Sequence, residues 1–245
     1  MPTHKMLGKT PKKHDARNLL MSRYLLPELP KPLAAMDHYS KLPANIGMMG
    51  NDKYGDCTIA AAAHAVQEWT LYAGKPMQTI PDSAILSAYK TLSPRDQGCA
   101  MLDVLNYWRK TGVGGEKIEA FIETATGDLT QAKLAIELFG SHYIGMSLPR
   151  HNTEGPWTAG HPRSRPDPYL GHCVVLLGYD DATKMFKAAT WGEVVDMSYG
   201  WFRKYVDESY AILDNVMLSN TGKSPEGFDW AALQDDLAHI HDPVT

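Results

Sequence analysis

The stretch Asn51-Asp-Lys-Tyr-Gly-Asp-Cys57-Thr-Ile-Ala-Ala-Ala-Ala-His-Ala-Val-Gln-Glu-Trp69 constrains the chain most, because a polar, glycine-broken loop turns there directly into a helix. Ile59, Ala62, Ala63, Val66 and Trp69 recur at helical spacing and give that helix an apolar face. Gly74 supplies a stop signal. Cys57 stands at the join. A thiol at a helix N-terminus feels its partial positive charge, which favours the nucleophilic thiolate. Cys57 has a plainer reading as well, since free cysteine often packs as a small buried hydrophobe.

A second stretch changes the balance: Gly171-His172-Cys173-Val-Val-Leu-Leu-Gly-Tyr179-Asp180. Its run from Cys173 to Leu177 is short, apolar and valine-rich, with Gly178 at its end, and reads as a buried strand. His172 stands at the mouth of that strand, where a lone histidine is usually structural. A cysteine opening a helix and a histidine opening a distant buried strand together form a different pattern. Cys–His nucleophile pairs are built this way, with partners that meet in space rather than in sequence.

These residues resemble the papain-like cysteine peptidases. In that family a Gln lies six residues before the nucleophilic Cys, where this chain has Asn51. The family's His-Ala-Val…Gly-Tyr strand is similar to His172 through Tyr179. Ala189-Thr190-Trp191-Gly192 looks like its Asn-Ser-Trp-Gly block, and Gly200-Trp-Phe-Arg203 like the following Gly-Tyr-Phe-Arg strand. The likeness spans roughly residues 40 to 215. It implies an α+β fold of two lobes with a cleft between them. One lobe is helical and built on the Cys57 helix, and the other is a twisted antiparallel β lobe carrying His172. It further implies Cys57 as nucleophile and His172 as base. The backbone N–H of Cys57 and the amide of Asn51 would bind the oxyanion, and Gly98, Cys99 and Trp191 would line the cleft.

Three positions depart from the family. Asn51 is one methylene shorter than Gln. Cys99 replaces one of a pair of cleft glycines. Ala189 stands where an Asn orients the base, and alanine cannot hydrogen-bond an imidazole. Thr190 is expected to face the other way on its strand, while Asp180, Asp181, Glu193 and Asp196 are neighbours in sequence only. Either a dyad works with another group holding His172, or the fold persists with activity reduced or lost.

Composition narrows the setting. The formal net charge is −4, which argues against a nucleic-acid groove and an acidic-membrane binder. No apolar run is long enough to span a bilayer. Residues 1–7 lack the apolar core of a signal peptide, so the expectation is a cytoplasmic protein. The three cysteines cannot all pair, which fits free thiols in a reducing compartment. His239 and His241 do not share a helix face, so neither a metal site nor a cofactor is expected. The compact layout is compatible with a virus- or prophage-encoded protein.

Three segments are expected. Residues 1–40 form an arm, first basic (Lys5, Lys9, Lys12, Lys13, Arg17) and then proline-rich (Pro27, Pro30, Pro32). It reads as a solvated arm that drapes over the domain or as a docking tail for a larger assembly, and is too short to match the family's inhibitory pro-segments. Residues 41–215 form the catalytic domain, and 216–245 a polar loop with a helix from Asp229 to Leu237. Within the domain, Asp82 or Ser83 caps a helix, Met101 to Arg109 is helical, and Thr130 caps a helix from Gln131 to Phe139. His142 to Pro149 and Met185 to Thr190 are strands, and Tyr205 to Leu213 closes the sheet. The loop at 150–170, which includes His161, rims the cleft.

The leading functional expectation is a cysteine peptidase acting on peptide or protein substrates. The alternatives are a papain-fold binding or structural protein with a vestigial site, and a cysteine-dependent acyltransferase or cell-wall amidase.

Overall fold

The computed structural model describes residues 4–25, 31–158, 163–214 and 229–239. The positions Pro27, Pro30, His161 and His241 lie outside them. In chain order the elements are β1 (Leu19–Leu20), β2 (Ala35–Asp37), α1 (Cys57–Tyr72), α2 (Asp82–Leu92), α3 (Met101–Lys110), β3 (Ala120–Glu123) and α4 (Leu129–Phe139). They continue with β4 (His142–Ser147), β5 (Gly171–Asp180), β6 (Met185–Thr190), β7 (Glu193–Ser198), α5 (Tyr199–Tyr205), β8 (Val206–Leu213) and α6 (Trp230–His239). This is the mixed α+β architecture that the two sequence stretches imply.

The eight strands form one sheet in the order β1-β3-β8-β4-β5-β6-β7, with β2 alongside β5. Only β1 and β3 pair in parallel. β8 therefore does not close the sheet; it runs between β3 and β4. Strand β5 is buried from Gly171 through Tyr179. Cys173, Val175 and Leu177 face the core around α1, while Val174 and Leu176 face a second core with Trp157, Phe186 and Phe202. Burial on both faces explains why this strand reads as an unbroken apolar run. Gly178 does not end it. The register shifts there by one residue, and a Cβ on Gly178 would lie 2.5 Å from the Met36 carbonyl oxygen, so glycine lets β2 cross.

Helix α1 is enclosed rather than amphipathic: every residue from Cys57 to Thr70 is buried. Some of its polar side chains find partners inside, whereas Thr58 Oγ1, His64 Nε2 and both Glu68 carboxylate oxygens are buried without a hydrogen bond among the described residues. His64 Nδ1 meets Gln67 Oε1 at 3.0 Å, and Gln67 Nε2 donates to the Ile46 carbonyl at 3.0 Å and to Thr79 Oγ1 at 3.1 Å. These bonds meet the need of buried amides for partners. Trp69 on α1 stacks on Trp108 of α3, with centroids 5.3 Å apart.

Some local expectations change. Helix α2 begins at Asp82 with Pro81 as N-cap and no side-chain cap. Helix α4 is capped by Asp128, whose carboxylate accepts from the N–H groups of Thr130 and Gln131, two residues earlier than expected. The segment Gly200–Arg203, read as a strand, is helical. Ser198 caps α5, and the Trp201, Phe202 and Tyr205 side chains land together in the second core, a spacing that only a helix provides.

Truncating the buried tryptophan pair tests this core. Trp108 is fully buried, so Trp108→Ala is expected to cost about 3–5 kcal/mol and lower the melting temperature by about 10 °C. Urea and thermal unfolding followed by circular dichroism check it.

Candidate active site

Cys57 is the first residue of α1 and is 1% exposed. The backbones of Cys173 and Gly8 lie within hydrogen-bonding reach of its thiol, but burial pushes the thiol up to about 12. In this state desolvation outweighs the helix terminus, and the thiol is protonated, against the expectation from position alone. Asp56, the N-cap residue, makes no capping hydrogen bond. Burial pushes its carboxyl up to about 7, opposed by the nearby Asn51 amide, and neither carboxylate oxygen has a hydrogen-bond partner among the described residues. Asn51 is 2% exposed, and its Nδ2 donates to the Tyr54 carbonyl at 3.0 Å. Its amide is thus engaged with its own loop.

His172 Nε2 lies 2.8 Å from Thr190 Oγ1, and the ring stacks on Trp191 with centroids 4.0 Å apart and planes 11° from parallel. Nδ1 is buried without a hydrogen-bond partner among the described residues. Burial, with Lys5 adding positive charge nearby, pushes the imidazole down to about 3, so it is neutral here. Thr190 does not face away. Ala189 pairs with Val175 across β5 and β6, so Thr190 falls opposite Val174 and shares the face of His172. Face assignment in a sheet depends on register, which sequence alone did not supply. The β6–β7 connection is the two-residue turn Trp191-Gly192, with φ of 43° and 81°. A primed hairpin turn needs positive φ at both residues. Trp191 is held in that unfavourable region by its stack on His172 and by Nε1 donating to the Met6 carbonyl at 3.2 Å.

The N-terminal residues run through this site, so the reading of a solvated arm is corrected. Met6 N–H donates to the Asn51 carbonyl at 3.0 Å; the N–H groups of Gly8 and Lys9 both donate to the Gly171 carbonyl, at 3.1 and 3.0 Å. On the other wall, Cys99 N–H donates to the Gly8 carbonyl at 2.8 Å and Thr10 N–H to the Cys99 carbonyl at 3.0 Å. Lys9 and Cys99 form a parallel bridge. The fit is tight: a Cβ on Gly8 would lie 1.7 Å from the Gly55 carbonyl oxygen, and one on Gly98 2.0 Å from the Gly8 oxygen. The basic side chains meet acids of the domain: Lys5 meets Glu193, Lys12 meets Glu123 and Lys13 meets Asp103. Tyr169, from the loop expected to rim the cleft, is 90% exposed beside the arm, in a groove of about 400 Å³.

Cys57, Asn51, Cys99, Trp191 and the residue preceding His172 therefore all touch the same five residues of the arm. Sequence reasoning missed the arm's course and Thr190. The tight glycines Gly8, Gly55 and Gly98 were the only local signal of a close backbone crossing. All three cysteines are buried and free. No group of three or more metal-ligating side chains occurs among the described residues, and none of the described helices is long and apolar enough to cross a membrane.

Comparison with solved structures places this geometry. Xylellain, a cysteine protease from Xylella fastidiosa, matches with a TM-score of 0.68 and 16% identity, over 87% of this chain and 98% of that one. The chain has the papain-like fold. Procathepsin B from Trypanosoma congolense matches with a TM-score of 0.55 at 11% identity, over 86% of this chain and 87% of that one. The Carica candamarcensis cysteine protease CMS1MS2 matches with a TM-score of 0.51 at 14% identity, over 75% of this chain and 99% of that one. No family model matches the sequence, and no curated protein does.

The Gly8 backbone lies against the buried Cys57 thiol. Gly8→Leu cannot fit against Gly55 and is expected to expel the arm. Iodoacetamide should then label Cys57 at pH 7 at least about tenfold faster than in wild type, as read by peptide mass spectrometry. The buried carboxyl of Asp56 gives a signed pH effect. Its folded pKa, about 7, lies above the unfolded value of about 3.9, so its penalty is absent below pH 4 and grows until about pH 7. Asp56→Asn should therefore gain stability relative to wild type between pH 4 and 7, by at most about 1.4 kcal/mol per pH unit, and gain no more above pH 7. Urea unfolding across that range measures it.

Proposed function

We propose that the chain is a papain-fold cysteine peptidase, an amide hydrolase, whose cleft is held closed by its own N-terminal residues. The observation that carries this reading is the seat of residues 6–10. They lie extended over Cys57, bridged to Cys99 on one wall and to Gly171 on the other. A groove that holds one extended peptide over a thiol is shaped to hold another.

The chemistry follows once a substrate replaces the arm. With its proton on Nε2, directed at Thr190, His172 keeps a lone pair on Nδ1 to take the Cys57 proton. The thiolate attacks the peptide carbonyl carbon. The Cys57 N–H at the start of α1 donates to the oxyanion, and Asn51 joins it when its amide turns from Tyr54. The imidazolium then protonates the leaving amine, and water hydrolyses the thioester to regenerate the thiol. The arm itself presents no such carbonyl at Gly8, whose oxygen is held by the Cys99 N–H on the far wall. A retained fold without chemistry was suggested by Ala189. Thr190, in contact with His172, supplies the partner that Ala189 lacks.

The test is peptide hydrolysis in the Gly8→Leu background. Activity is expected, and Cys57→Ala should abolish it. Thr190→Val keeps the shape but loses the hydroxyl, and should lower kcat roughly ten- to hundredfold with little change in KM, while Thr190→Ser retains most of it. Hydrolysis that survives Cys57→Ala would overturn the reading.

A further inference from the structure

Among the described residues of the arm, Lys9 is the only charged one that is buried; it is 5% exposed overall and its side chain 1%. Its Nζ lies 2.9 Å from Asp207 Oδ1 and 3.2 Å from Glu208 Oε1, and donates to the Thr10 carbonyl at 3.4 Å. The pocket depends on a register fault. Gly145 pairs with Glu208 while Met146 pairs with Val206, which leaves Asp207 as an extra residue in β8. A bulge of this kind re-aims side chains that would otherwise alternate between faces, and here both carboxylates reach one ammonium. Opposite them, glycine is required: a Cβ on Gly145 would lie 2.2 Å from Lys9 Cε and 2.4 Å from Met101 Sδ. Ser147 Oγ donates to Asp207 Oδ2 at 2.5 Å and Tyr210 donates to Glu208 Oε2 at 3.3 Å, which fixes both acids.

We infer that Asp207 and Glu208 determine specificity for a cationic substrate side chain, lysine or arginine, next to the residue seated on Cys57. This rests on the peptidase reading. Gly8 lies on the thiol and Lys9 is its neighbour, so a substrate that reaches Cys57 must evict Lys9. Glu208 is fully buried. Eviction leaves a buried carboxylate without its counter-charge, a costly state. A substrate that brings its own cation restores the pair. A leucine does not, and a glutamate adds like charge. Discrimination by an unpaired buried group is far stronger than discrimination by fit alone.

The experiment uses full-length Gly8→Leu protein, and Lys9→Met protein as an independent way to remove the arm's cation from the pocket and weaken its seat. Matched fluorogenic peptides carry Lys, Arg, Leu or Glu at each position flanking the scissile bond. At one position Lys and Arg should exceed Leu in kcat/KM by about tenfold or more, and Glu by more. With Glu208→Gln added, or Asp207→Asn, that preference should shrink to within about threefold while the Leu peptide is still cleaved. Cleavage without a cationic preference overturns the inference and leaves the peptidase reading intact. Cleavage of no peptide overturns the peptidase reading instead. The pocket is then judged by binding a fluorescent peptide of residues 5–13 to the Gly8→Leu/Cys57→Ala protein. Tighter binding with Lys at the position of residue 9 than with Leu or Glu there, lost with Glu208→Gln, upholds a cation pocket. Equal binding of the three overturns it.

Discussion

The packing of α1 against β5 is the constraint on which the rest of this structure depends. A helix with no solvent face must be walled in on every side, and β5 buries both of its own faces to serve as one of those walls. The thiol at the start of the helix lies on that contact, and the imidazole at the start of the strand is held on the other face of β5 by Thr190 and Trp191. Neither is placed by a flexible loop. The alanines at 60 to 63 belong to the core shared with Cys173, Val175 and Leu177, so the surface that brings the two elements together is also what holds the lobe up.

Much of this was legible in the sequence because its signals are local. Helical spacing after Cys57, the apolar run after His172 and the glycine stops each depend on a few neighbouring residues, and α1, α3, β4 and β6 emerge near the expected bounds. What was not legible depends on pairing between distant residues. Thr190 was assigned to the wrong face because a period of two says nothing about which partner residue lies opposite. The bulge at Asp207 has no sequence signature, since it exists only against Gly145 and Met146. The strands β1 and β2 are two and three residues long, too short for a period to show. The arm was misread for a related reason: a basic, glycine-containing segment looks solvated until the acids that meet it are known.

Burial explains the chemical state of the site. Closing water out of the cleft raises the Cys57 thiol and lowers the His172 imidazole together, so both groups are neutral where a reactive pair would be charged. The arm is part of that enclosure: Lys5 disfavours the charged imidazole, while the Gly8 backbone and the Lys9 charge act on the thiol in the opposite sense to burial. One segment thus lies across the surroundings of both groups and helps to close water out from them.

The arm is joined to the domain it fills, and that changes how it competes. A tethered segment acts at an effective concentration set by the length of its connection, on the order of millimolar for a short flexible one. Diluting the protein does not loosen it. A free peptide must instead outbid a neighbour that never leaves, and a short weak ligand cannot do so at ordinary concentrations. Such an arm yields to a ligand that binds the seat tightly enough to outweigh that effective concentration, to a change that spoils the seat, or to pulling, cutting or capturing the arm.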